Sequence, residues 1–238
     1  VDDPSLKDRE HIMLVQDSLK ALQELAKSFR EKWNFPVLAI TGSNGKTTSK
    51  ELIFAVLKSK FNVYSTPGNF NNHIGVPLTI LNKPENCDFA ILELGANHLG
   101  EHAFLCEIAK PNYGLVTNNG KDHLEGYGNL ENVVKSNCEL FEYLIENKGF
   151  AFINADDSDL IKYKDKLKSL TYAIENDADI HAKVDKNSLF GNIILNNEVR
   201  INSNLVGWIN SYNMISAFAI GMYFGLTYKS IQNAIESY

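Results

Sequence analysis

The sequence predicts an α/β protein: a mostly parallel, P-loop-type sheet flanked by helices, with a small antiparallel β extension near residues 170–204. Three observations carry that prediction. Val37–Lys60, VLAITGSNGKTTSKELIFAVLKSK, reads as a buried strand, a glycine-rich turn and a helix. Short apolar runs then recur along the chain with helix-spaced stretches between them, the pattern of a parallel sheet. Between 170 and 204 the pieces LTYAI, DIHAKV, GNIIL and EVRIN are instead separated by Asn-, Asp- and Gly-rich turns, which reads as antiparallel strands.

The first segment, before Val37, is mixed. A polar stretch to Glu10 leads into Ile12-Met13-Leu14-Val15, an expected strand. Asp17 or Ser18 can cap a helix, since each offers an oxygen to the free N–H groups of a first turn. Leu19, Leu22, Leu25, Ala26, Phe29 and Trp33 follow at three- and four-residue steps, an amphipathic helix that Asn34-Phe35-Pro36 stops.

Val37–Ile40 is the next strand, and Leu52, Ile53, Val56 and Leu57 mark the helix after it. Between them lie Gly42, Ser43, Asn44, Gly45, Lys46, Thr47 and Thr48. Glycines let backbone N–H groups approach a phosphate, and a helix N-terminus adds a positive dipole end. In such a loop Lys46 reaches the β/γ-phosphates and the Thr47 hydroxyl coordinates Mg²⁺. The loop is shorter than the common G-x-x-x-x-G-K-[ST] pattern, because Ile40 stands where that pattern has its first glycine. A Gly-rich strand–helix turn with a solvated lysine is the plainer reading of the same residues.

Phe61–Tyr64 is a second strand of the sheet, and Thr66–Pro77, dense in Gly, Pro and Asn, reads as a loop. Its amides suit a polar substrate or ordinary turn chemistry equally. Asp88–Leu94 is a third strand with Glu93 near its C-terminal end, the edge where open α/β sheets bind ligands. A carboxylate there holds Mg²⁺, directly or through water, or forms a plain ion pair. Tyr113–Thr117 is a fourth strand, running into a polar loop with Asp122 and His123; His123 is either a metal ligand or a surface residue. Leu130–Glu146 is a helix and Gly149–Asn154 a fifth strand. An apolar helix opens in Gly207–Asn213 and runs through Gly225, and a last one runs from Tyr228 with Thr227 as its cap.

Composition narrows the function classes. The 238 residues are 44% hydrophobic and 22% charged, as in a soluble globular protein. A net charge of −6 without a basic run speaks against a nucleic-acid surface, and no apolar run approaches a membrane span. Cys87, Cys106 and Cys138, few and odd in number, fit free thiols in a reducing, cytoplasmic setting.

Taken together, TGSNGKTT (41–48), GNFNNHIGVP (68–77), ELGANH (93–98), HLEGYG (123–128), NADD (154–157) and Gly207–Asn213 resemble the central ATP-binding domain of the Mur ligases. ELGANH and GNFNNHIGVP resemble most the member that adds D-alanyl-D-alanine. The resemblance implies an ATP-dependent amide ligase of cell-wall (peptidoglycan) synthesis, acting through an acyl phosphate with ATP and Mg²⁺. It implies UDP-muramoyl-tripeptide and D-alanyl-D-alanine as substrates, with no nucleic acid, no membrane span and a monomeric state. By carry-over Gly42–Thr48 binds ATP and Thr47 holds one Mg²⁺, while Glu93 and His123 hold a second. Lys46, Glu93 and His123 are then the catalytic set, Asn71 and Asn72 face the UDP-peptide, and Asn210 and Asn213 contact adenine, which amides suit because they donate and accept together.

The same resemblance divides the chain. Residues 1–34 are expected to be the end of an N-terminal substrate domain plus a connecting helix, and 35–238 the central domain. A C-terminal domain is expected to be absent, so the chain alone is expected not to ligate. Two positions depart from the family. Asn137 stands where the family has a lysine, carbamylated by CO₂, that supplies a further Mg²⁺ ligand; Lys135 is about 200° away around a helix and does not substitute. Ile209 stands where the family has His or an aromatic residue in its nucleotide element. The rival readings are a folylpolyglutamate synthetase-like ligase and a nucleotide-binding module without ligase chemistry. A GTPase is disfavoured because no guanine-reading N/T-K-x-D segment is present.

Overall fold

Val37–Thr41 forms β1, and all five of its residues are buried. A strand covered on both faces needs parallel neighbours and helices above and below, and the rest of the fold supplies them. In the computed structural model, residues 1–120, 127–195 and 199–238 are described. The strands are β1, β2 (Val63–Ser65), β3 (Phe89–Glu93), β4 (Tyr113–Val116), β5 (Phe150–Asn154), β6 (Lys168–Ala173), β7 (Ile180–Lys183), β8 (Phe190–Leu195) and β9 (Val199–Val206). They form a sheet in the order β2-β3-β1-β4-β5-β6-β7-β8-β9. β3 and β4 flank β1 in parallel, with Ile40 level with Glu93 and Thr41 level with Val116. From β1 the chain goes to the edge at β2, returns through β3 beside β1, and then crosses to β4 on the other side. That reversal opens a crevice beyond the carboxyl ends of these strands.

The helices are α1 (Ser18–Arg30), α2 (Lys46–Leu57), α3 (Gly75–Leu81), α4 (Glu101–Ala109), α5 (Leu130–Glu146), α6 (Asn210–Tyr223) and α7 (Tyr228–Glu236). One face of the sheet packs under α2, α6 and α7, through Leu52, Val56, Phe218 and Ile231 among others. The other packs under α1, α3, α4 and α5, through Ala26, Ile80, Leu105 and Phe141. Asp17 caps α1 by accepting the Lys20 N–H, and Thr227 caps α7 by accepting that of Ser230. At the other end of α1, the Arg30 guanidinium is buried and donates to the carbonyls of Ala109, the last residue of α4, and of Lys110 just beyond it. Burial brings the Arg30 pKa down to about 10.

Three local expectations change. Ile12–Val15 is extended but is not a strand: Val15 N–H and Met13 C=O bond only to the chain's first residue, and no ladder forms. The loop read over 66–77 ends early, because Asn72 Oδ1 accepts the N–H groups of Ile74 and Gly75 and so starts α3, with Pro77 in its first turn. The extension is antiparallel only at its far end: β6 joins β5 in parallel and β7 joins β6 in parallel, leaving β7–β8–β9 antiparallel. Parallel neighbours ordinarily need a long crossover. β7 avoids one by starting beside the last two residues of β6, Tyr172 and Ala173, and running on in the same direction.

All three cysteines are buried and free. Burial raises the Cys138 thiol to about 12 and the Cys106 thiol further, so neither is a ready nucleophile. Among the described residues no helix is long and apolar enough to cross a membrane.

Candidate nucleotide and cation site

The loop between β1 and α2 is anchored from two sides. Gly42 has φ 128° and Gly45 has φ 79°, conformations that side-chain-bearing residues rarely adopt. A Cβ at Gly42 would overlap Thr117 Oγ1, and one at Gly45 would lie 2.7 Å from Asn213 Oδ1. The segment after β4 clasps the loop: Asn118 Nδ2 donates to Asn44 O at 2.8 Å, Thr117 Oγ1 donates to the same carbonyl at 2.7 Å, and Ser43 N–H donates to Asn118 O. Ser43 Oγ accepts from Gly120 N–H at 3.0 Å. Lys46 opens α2 and its ammonium lies over the loop, 2.6 Å from Gly42 O and 3.2 Å from Ser43 O.

One cavity lies at the start of α2 and a second lies against α4. The first, of about 550 Å³, is lined by Asn44, Gly45, Thr48, Ile209, Asn210 and Asn213, among others. Asn213 Nδ2 donates to Asn210 Oδ1 at 2.9 Å, and its Oδ1 accepts from Ser49 Oγ at 3.0 Å, which pins α6 to α2. Ile209 is 59% exposed at the rim, so an apolar surface faces the opening where the family has a ring. The floor is braced by Asp156. Burial alone would raise its pKa, but three backbone N–H groups (Ile174, Glu175, Asn176) and the Tyr212 hydroxyl hold it below the usual carboxylate value. The other cavity, of about 610 Å³, lies between α1, the 66–74 loop and α4, with Asn72, His73, Gly95, Asn97 and Glu101 on its wall.

Between the two cavities the chain places a buried carboxylate. Glu93, at the end of β3, is 1% exposed. Thr47 Oγ1 lies 3.2 Å from its Oε2, Asn71 Nδ2 donates to its Oε1 at 2.9 Å, and Lys50 Nζ is 3.3 Å from its Oε2. Thr47 and Glu93, which the sequence reading assigned to two different Mg²⁺ ions, lie in contact here, and both offer hard oxygen ligands suited to Mg²⁺. No cluster of three or more His, Cys, Asp or Glu occurs among the described residues. His123, the expected second ligand, lies outside the described residues.

Asn71 and Asn72 serve structure where they stand: one holds Glu93, the other starts α3. Asn72 also reaches the wall of the larger cavity. Asn137, on α5, turns its amide N–H₂ toward Ser43 Oγ (3.3 Å) and Asn119 Oδ1 (3.1 Å). Its N–H₂ thus points to the loop, and the side chain is neutral where a carbamate would be negative.

Several residues of the site were not read from the sequence. Lys50 sits one turn beyond Lys46 and three residues from Thr47, a spacing that points it toward Glu93. His102 on α4 is 2% exposed: its Nδ1 lies 3.0 Å from Ser136 O, which only accepts, so Nδ1–H donates and Nε2 accepts from Thr41 Oγ1 at 2.5 Å. Burial pulls its pKa down to about 4. It ties the residue preceding the phosphate loop to the turn of α5 that carries Asn137.

The chain matches the Mur ligase middle domain over residues 40–221. It belongs to the Mur ligase family. It is 35% identical over 225 residues to UDP-N-acetylmuramoyl-tripeptide–D-alanyl-D-alanine ligase of Bacillus subtilis, covering 94% of this chain and 49% of that protein. The Escherichia coli ligase of the same name is 42% identical over 157 residues, 66% of this chain and 34% of its own. MurF from Acinetobacter baumannii superposes with a TM-score of 0.84 at 26% identity, over 94% of this chain and 51% of that one. MurF ligase from Thermotoga maritima in complex with ADP gives 0.79 at 28% identity, over 95% and 54%. The chain thus spans about half the length of the relatives it matches.

Proposed function

We propose that the chain is the nucleotide-binding part of an ATP-dependent ligase. The full protein would join D-alanyl-D-alanine to UDP-N-acetylmuramoyl-tripeptide in cytoplasmic peptidoglycan precursor synthesis. The observation that carries this reading is the meeting of Thr47 with Glu93 between two cavities. Thr48 lines one of them and Gly95 the other. The names of the relatives support it, as does the ADP bound to the Thermotoga maritima protein.

In this scheme the loop N–H groups and Lys46 hold the ATP phosphates, and the amides of Asn210 and Asn213 sit at the adenine end. The terminal carboxylate of the tripeptide attacks the γ-phosphorus and ADP leaves, giving an acyl phosphate. The amine of D-alanyl-D-alanine then attacks the acyl carbon, loses a proton, and phosphate departs. Bound Mg²⁺ supplies charge neutralisation on the phosphoryl oxygens. Thr47 and Glu93 would hold it, while Lys46 and the start of α2 neutralise the remaining charge. Catalysis is then mainly positioning of two anions side by side.

The test is phosphate release by the protein that carries this sequence, given ATP with the UDP-tripeptide and the dipeptide singly and together. Release only with both supports the ligase; none with both leaves a nucleotide-binding module, the rival reading that Asn137 keeps open.

A further inference from the structure

Among the described residues Lys50 is the only buried lysine, fully covered on the helix that carries the phosphate loop. Its ammonium donates to Gly68 O at 2.7 Å and lies 3.3 Å from Glu93 Oε2 and 3.5 Å from Glu51 Oε1. Glu51 is 40% exposed and has water to solvate it; Glu93 has almost none. The nearest full positive charge recorded against the Glu93 carboxylate is therefore Lys50. A buried carboxylate without a counter-charge is costly, and removing one partner of a buried pair costs more than the pair contributes. A divalent cation at the same carboxylate would meet Lys50 as a like charge a few ångströms away, in surroundings that screen poorly.

We propose that Lys50 is the resident counter-ion of Glu93. It neutralises the carboxylate while the cation is away and competes with the cation for it when the nucleotide brings one. Lys50 is then a positioning residue that acts through Glu93. It weakens cation binding by the free protein, so that the cation is held only when phosphate oxygens add their charge. Its second bond, to Gly68 O, keeps the ammonium in place when the carboxylate turns to the cation. This rests on reading Glu93 as a cation ligand and not on the identity of the ligase substrates.

The experiment is a titration of the chain with MgCl₂ alone, without nucleotide, followed by thermal melting, for the unaltered protein and for Lys50→Met, Lys50→Arg, Glu93→Gln and the Lys50→Met/Glu93→Gln pair. Lys50→Met is expected to shift its melting midpoint with Mg²⁺ at concentrations about tenfold or more below those the unaltered chain needs, since one repelling charge has gone. Lys50→Arg restores the unaltered response, and the double variant loses it. An equal response of Lys50→Met and the unaltered chain overturns the proposal. Glu93→Gln separates the two levels: if it leaves the Mg²⁺ dependence of ADP binding unchanged, Glu93 is no ligand and the site reading fails first. Should Lys50→Met not fold, the ¹⁵Nζ resonance of Lys50 in the unaltered chain decides. Saturation with Mg²⁺ and ADP is expected to move it, and an unmoved resonance overturns the proposal.

Discussion

The two flanks of the phosphate loop are built from different materials. On the side of β4 and α6 the loop is held by neutral groups: Asn118 and Thr117 on the Asn44 carbonyl, and Asn213 against Gly45. On the side of β3, Thr47 at the loop's end meets Glu93, which is paired with Lys50, both charges out of contact with water. Neutral amides fix a shape at little electrostatic risk, because each loses and regains hydrogen bonds of similar strength. Buried charges fix a shape only while both partners are present, and they respond to any ion that arrives. On the proposed function the first flank would receive the base and sugar, and the second would respond to a cation.

Substitutions on each flank test that division. The largest effect is expected at the junction: Lys46→Ala removes the ammonium over the loop and should lower ADP affinity by about a hundredfold or more, read by isothermal titration, two lost charge-assisted bonds at ~1.5–3 kcal/mol each. Affinity equal to the unaltered protein would remove the phosphate-loop assignment. Next, His102→Leu tests the neutral tie between Thr41, at the end of β1, and Ser136 on α5, in its dependence on pH. His102 is held neutral with a pKa near 4, below the 6.5 of an unfolded histidine. The unfolded chain therefore takes up the proton first, so stability from this group is complete above about pH 6.5 and falls as pH drops toward 4. The loss is about 3 kcal/mol across that interval, taking 1.36 kcal/mol per unit. Urea melts of His102→Leu should lack that one-proton slope; an unchanged slope would assign it elsewhere.

Smaller effects belong to the neutral side. Gly45→Ala must accommodate both a positive φ and a Cβ against Asn213 Oδ1, and about 1–2 kcal/mol of destabilisation is expected in the same melts. Smallest, Asn118→Ala removes two exposed neutral bonds to Asn44, one to its carbonyl and one from its N–H, and should weaken ADP by roughly fivefold, about 1 kcal/mol. If Asn118→Ala proved more damaging than Lys46→Ala, the contrast between the flanks would have to be reversed.

Much of this fold is legible in the sequence because its signals are local. Thr227 announces α7, Asp17 announces α1, and the apolar runs of β1, β3, β4 and β5 stand where expected. The parallel entry of β6 and β7 is not legible, because a strand of four to six residues carries no mark of the direction of its neighbour. α3 hides behind Pro77, which reads as a breaker in a loop but is welcome in a first helical turn. In the site, the loop residues are legible from glycine spacing and Glu93 from its place at a strand end. Lys50 and His102 are not, because polar residues in helices ordinarily face water, and only the packed sheet shows that these two are enclosed. Asn137 was legible as a departure, but its contact with Ser43 depends on how α5 lies across the loop.

α4 has both ends tied down by side chains from other helices. The Glu139 carboxylate on α5 accepts the N–H groups of Gly100 and Ala103 at its start, and Arg30 on α1 takes the carbonyls at its finish. Mechanically it is a strut pinned at two joints, and one wall of the 610 Å³ cavity is built on it. A bulky guest pressing on that wall would have to shift three helices together. The opposite wall, the 66–74 loop, is tied in turn to α1 and α3, through Gln23 Nε2 on His73 O and through Asn72 Oδ1 at the N–H groups of Ile74 and Gly75, so the cavity is framed by linked elements on both sides.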